Sequence, residues 1–227
     1  MNLHPAARLG LVSMLAAFPL LNGRQTSTPA EKDWLETVRP IMTAAERDVF
    51  SKLATPADRE KFVRFFWRNR DPVPETPENE FQREYEERIA FADLNFRSGT
   101  GLRGSRTERG FYYLLLGKPL ERHFYTAHSQ MWPLELWYYQ GDESHGLPPY
   151  FYLIFFQPQG LGDYRLYHPA VEGPENLVVP LVFGRTLDRS RAYQFLREVS
   201  SELASASLSY IPGRGSERLA ADLSSLG

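Results

Sequence analysis

Apolar residues recur every three or four positions through the first hundred residues, then give way to short aromatic segments separated by turn residues. That change of period, from 3.6 to about 2, predicts helices first and strands afterwards. In "EKDWLETVRPIM", Trp34, Leu35 and Val38 form a short patch ended by Pro40. Thr43 followed by Glu46 is a capping-box pattern opening a helix over "AAERDVFSKL". Thr55, Pro56 and Asp58 repeat the start signal, and Phe62, Val63, Phe66 and Trp67 then share one helical face. "RDPVPETPE" breaks that helix, because its prolines remove donors and fix φ. Thr76 as cap and Pro77 at the first helical position start the longest element. Phe81, Tyr85, Ile89, Ala92 and Phe96 line one stripe of it to near Arg97, and Glu84 and Arg88 stand at the favourable i, i+4 spacing on its charged side.

Glycines punctuate "SGTGLRGSRTERG" (98–110), after which the pattern reads as strands: "FYYLLL" (111–116), "LERHFYT", "LELWYYQ", "YFYLIFFQ" and "YRLYH". "FYYLLL" and "YFYLIFF" are apolar at every position, so both faces of the sheet are expected to be covered. A last helix, "LDRSRAYQFLREVSSELAS", places Ala192, Leu196, Val199 and Leu203 on one stripe, and the chain from Gly213 onwards reads as a loosely attached tail. The fold class expected is α+β: N-terminal helices packed on an antiparallel β-meander of about five strands, with a C-terminal helix. The domain spans 34–170, and 171–227 is an extension with one helix packed on the same domain.

Length and charge narrow the picture. A chain of 227 residues suits one domain with a helical extension. A formal net charge of −2 gives no basic excess for nucleic acid, so no nucleic-acid partner is expected. Arg8 followed by the apolar run "LGLVSMLAAFPLL" (9–21) reads as an export signal over 1–23, with cleavage after Gly23 or Ala30 and a linker over 24–33. The alternative is an uncleaved anchor, which would be the chain's one link to a membrane. Location is therefore expected to be periplasmic or secreted. The chain has no cysteine, which removes disulfides, lipobox lipidation and thiol chemistry. P-loop and G-x-S-x-G fingerprints are missing, and neither a cofactor nor a metal is expected.

Candidate chemistry comes from four places. Glu121 and His123 alternate in "LERHF" and would face one side of a strand, as a base with its orienting acid or as two metal ligands; the simpler reading is a surface pair. Asp142, Glu143, Ser144 and His145 sit together in a glycine-bounded hairpin loop, where adjacency in sequence does not make a triad. "MWPLELWYY" offers Trp132, Trp137 and Tyr139 for sugar stacking, or equally for the core. The loop "GSRTERG" offers Gly104, Thr107, Glu108, Arg109 and Gly110 as ligand-binding candidates, with Arg70, Asp71 and Trp137 behind them. The glycines would allow backbone angles closed to other residues, Thr107 would bond a neighbouring backbone group, and Arg109 would hold a carboxylate, with Glu108, Asp71 and Glu80 as partners to choose from. Structural pinning is the better reading of this loop.

Those residues carry a resemblance. Gly104-Ser105-Arg106-Thr107-Glu108, followed by Arg109-Gly110 and Gly117-x-Pro119, resembles the signature of the bacterial GWxTD-domain family. "FWRNRDPVPETPENEF" (66–81) and "ELWYY" (135–139) extend the likeness, which covers about 34 to 170. Ser105 stands where that signature has Trp and Glu108 where it has Asp. The resemblance implies an exported bacterial protein with no established activity. The function expected is a non-catalytic binding or assembly module in the envelope, meeting a protein partner through 99–110 or "RNRDPVPETP". The alternatives are an envelope hydrolase acting on glycan or peptide through Glu121, His123 or the Asp142/His145 loop, and a small-molecule binder in an aromatic-lined sheet cavity.

Overall fold

The structure, a computed structural model, describes residues 28–180 and 187–209. The expected signal (1–23) and the tail beyond Gly213 lie outside the described residues. Local capping explains where the first helices begin. Helix α1 (Pro29–Val38) starts inside the segment read as a linker, with Thr28 accepting from Glu31 N in a full capping box. Helix α2 (Ala44–Lys52) opens on the expected Thr43–Glu46 box, and α3 (Pro56–Arg68) on Thr55 with Pro56 in its first turn. Helix α4 (Glu80–Asn95) begins later than Thr76 and Pro77 imply. Asn79 caps it, its Oδ1 accepting from Gln82 N at 2.8 Å while its Nδ2 donates to Trp67 O at 2.7 Å. The Thr76 hydroxyl is spent instead on the turn, donating within reach of the Val73 and Glu78 carbonyls and of Glu80. The expected Glu84–Arg88 pair is present at 2.6 Å.

The largest departure is "FYYLLL". It is not a strand but most of helix α5 (Glu108–Leu116), capped by Thr107 and ended by Gly117 at φ 78°. A uniformly apolar run has no period to read, and a helix apolar all round is one that is buried all round. Leu114 packs with Val38, Ile41, Met42, Phe66 and Tyr85, while Tyr112 and Tyr113 pack against the sheet. Helix α5 is thus the core element that joins the N-terminal helices to the sheet.

The sheet has four strands among the described residues rather than five, in the order β1 (Glu121–Tyr125), β2 (Leu134–Gln140), β3 (Tyr150–Phe156), β4 (Arg165–Leu166), all antiparallel. Both faces are covered as the apolar runs require. Trp137, Tyr139, Phe151 and Phe155 face α4 and α5 together with Ala92 and Phe96. Leu134, Leu136, Ile154 and Phe156 face the C-terminal helices. There the expected single helix is two, α6 (Arg189–Val199) and α7 (Ser201–Leu208). Ser200 leaves the helix at φ −160° and accepts from Leu203 N, since a serine side chain serves a new N-terminus better than a helix interior. Ala192, Leu196 and Leu203 are buried on the sheet as the stripe requires. No described helix is long and apolar enough to cross a membrane.

Candidate functional site

The loop before α5 is held by backbone contact. Neither Gly104 nor Gly110 takes a positive φ, so the expectation of unusual backbone angles is corrected. What excludes a side chain is space: a Cβ on Gly104 would lie 1.9 Å from Ala92 O, and one on Gly110 would lie 2.0 Å from Gly104 O. Helix α4, the loop and α5 are stacked backbone upon backbone through these two positions. Thr107 closes the stack, its hydroxyl donating to Gly104 O at 2.7 Å and accepting from Gly110 N at 3.1 Å. Asp93 on α4 fixes the other side, accepting from Ser105 N at 2.8 Å and from two nitrogens of Arg103. Burial works against ionisation of Asp93, but the Ser105 and Arg103 hydrogen bonds outweigh it and hold the carboxyl below the usual range. Ser105 itself is buried in this contact.

Arg109 is tied to a carboxylate, but to none of the expected ones. Its Nη1 lies 2.5 Å from Glu135 Oε1 on β2. Helical spacing explains why Glu108 is not the partner, because successive residues on α5 point in directions about 100° apart. Glu108 turns instead to β4, where its Oε2 accepts from Leu166 N. Glu135 also accepts from Arg122 Nη2 at 2.8 Å and from Trp137 Nε1 at 2.7 Å. The side chains of Arg109 and Glu135 are 10% and 4% exposed, so the network is interior. Two guanidiniums around one carboxylate leave a surplus positive charge, and ring faces share it: Tyr164 lies 4.0 Å and Phe96 5.3 Å from Arg109, and Trp137 5.0 Å from Arg122. Trp137 is core, fully buried with Tyr139 on the same face.

Arg70 is likewise enclosed. It grips Glu46 with two bonds of 2.9 Å, donates to Ile41 O at 2.8 Å and lies 3.7 Å over the Phe66 ring. It therefore clamps the start of α2 to the end of α3. Asp71 is half-buried and accepts from Val73 N at 3.1 Å.

The other candidates stay near the surface. Glu121 Oε2 and His123 Nε2 do meet, at 3.0 Å, on one side of edge strand β1, with side chains 63% and 49% exposed. Among the described residues no hydroxyl is hydrogen-bonded to His123. Asp142 accepts from Ser144 N at 2.8 Å and shapes the single 3₁₀ turn Glu143–His145. Among the described residues no group of three His, Asp or Glu stands close enough to share a metal ion.

Among the described residues there is an open cavity of which residue chemistry gave no direct sign. A groove of about 640 Å³ lies between α1, α3 and α4, at the end of the "RNRDPVPETP" loop. Trp34, Val38, Val63, Trp67 and Ile89 supply its apolar lining; Arg64 and Arg68 stand on α3, Gln82 and Glu86 on α4, and Asp71 and Pro77 at the loop. Its volume falls in the range of about 300–1,000 Å³ usual for ligand-holding clefts. The signal that pointed toward it was the proline-rich loop itself, since the chain between α3 and α4 cannot continue either helix. Comparison with known protein families, curated proteins and solved structures finds no match to this chain.

Proposed function

We propose that the chain is an exported, non-catalytic binding module of the bacterial envelope that engages a protein partner through the groove between α1, α3 and α4. One observation carries the reading: apolar side chains line an open groove whose edges are polar, and the proline-rich loop stands at its end. The resemblance around 66–81 and the apolar N-terminal run agree with such a module in the envelope. In the loop 99–110, the other surface considered, Gly104, Ser105, Thr107, Arg109 and Gly110 are buried in contacts that hold α4, α5 and the sheet together, while 99–103, Arg106 and Glu108 stay exposed.

Site-specific photocrosslinking in cells tests this. A photoreactive residue at Gln82, on the groove, is compared with one at Glu87, which lies outside the groove lining. A protein adduct formed from position 82 and not from 87 supports the reading. Equal adducts from both positions, or none from 82, overturn it.

A further inference from the structure

We infer that the groove takes an amphipathic α-helix of the partner, with acidic side chains along the flank that meets α3. The inference rests on the groove being the binding surface and adds what fills it. Gln82, Glu86 and Ile89 on α4 are spaced i, i+4, i+7 and span roughly 10 Å, or two helical turns. Val63, Arg64, Trp67 and Arg68 of α3 line the groove as well. An apolar-lined slot of this length suits the anchors that a helix projects at i, i+4 and i+7.

Backbone chemistry favours a helix over a paired strand. The groove is lined mainly by helices α1, α3 and α4, whose interior N–H and C=O groups are already bonded within each helix. An added strand would find no ladder to join and would leave its own polar groups facing side chains, whereas a helix satisfies its backbone internally.

Charge sets the orientation. Arg64 and Arg68 stand one turn apart on α3, exposed, and neither has an ion-pair partner among the described residues. Arg59, Arg70, Arg88, Arg103 and Arg109, by contrast, are each held by a carboxylate. Glu86 on α4 bonds to Gln82 at 2.9 Å and makes no ion pair among the described residues. The α3 side is therefore basic and the α4 side weakly acidic. A bound helix with carboxylates toward α3 complements the stronger of the two.

The test uses the full chain and a displayed library of 15-residue stapled helical peptides, run beside a proline-rich extended library. The best helical peptide is then measured by fluorescence polarisation. We expect selected helices to share an apolar stripe and an acidic flank. Affinity should fall about tenfold in Arg64→Glu/Arg68→Glu and return when the peptide's acids are changed to lysine. Both arginines are exposed, and an unchanged Tm confirms that the variant folds. Selection of extended peptides alone, or affinity indifferent to the charge swap, overturns the helix. Crosslinking from position 82 separates the two ideas: a protein adduct there with no helical binder sinks the helix and leaves the binding module standing.

Discussion

Arg109 and Glu135, 26 residues apart in sequence, meet as a buried ion pair that joins the first turn of α5 to the second strand of the sheet. Arg122 and Trp137 complete the set around the same carboxylate. Removing one partner of a buried pair leaves the other charge without compensation, which typically costs 3–5 kcal/mol. Because Glu135 keeps two donors, Arg109→Ala is expected at about 3 kcal/mol in denaturant unfolding. If the variant kept full stability and lost partner binding instead, Arg109 would be a recognition residue and the structural reading would be wrong.

Glu135→Gln is expected to cost at least as much, because it sets two guanidiniums against a neutral amide in the interior. The same unfolding measurement checks it. A loss below about 1 kcal/mol would mean that the ring faces alone hold the two cations.

Gly110→Ala should be among the most damaging single-methyl additions in the chain, since the new Cβ would press 2.0 Å from a backbone oxygen. Overpacking typically costs 1–3 kcal/mol, and a backbone obstacle puts this site at about 3 kcal/mol or more. Gly99→Ala serves as the control, as nothing lies within 4 Å of a Cβ there. Comparable losses at the two positions would refute the stacking of α4, loop and α5.

Thr107→Ala removes the cap of α5 and a hydroxyl buried between two backbone groups. Loss of an N-cap costs about 1 kcal/mol, up to about 2 kcal/mol at the sites that matter most. Thr107→Ser keeps the oxygen and should restore most of the loss in thermal unfolding. Equal losses for Ala and Ser would show that the methyl group, not the cap, carries the effect.

Asp93 makes stability depend on acid. Its carboxyl is depressed in the folded chain, so its contribution is fully present above the unfolded value of about 4 and is lost as pH falls through the lower folded value. Thermal unfolding of Asp93→Asn against the parent should show a gap that is constant near neutrality and narrows below about pH 4. A gap that widened on acidification would contradict the hydrogen bonding from Ser105 and Arg103.

Features governed by near neighbours were legible in the sequence. Thr43 with Glu46, Thr55 with Asp58, and Glu84 with Arg88 act over three or four residues, and each forms as its spacing implies. The helical stripe of α4 was readable from its period, and the two covered faces of the sheet from the unbroken apolar run of β3, because the positions of apolar residues record which sides of an element leave water. Thr107 before Glu108, with Gly117 and Pro119 after Leu116, was a helix signature of the same local kind, outweighed by the strand-like look of "FYYLLL".

The candidate site was far less legible. Which carboxylate holds Arg109, why Gly104 and Gly110 lack side chains, and where a groove stays open all depend on segments distant along the chain. The sequence by itself determined the class of the fold, the caps of the early helices and which faces are apolar, since these are local consequences of side-chain shape and spacing. Tertiary structure decided that an unpatterned apolar run becomes the central helix, and that Arg109 is an internal strut. The physical reason is that burial on all sides, backbone contact and ion pairing are properties of assembled elements, which no single stretch of the chain carries alone.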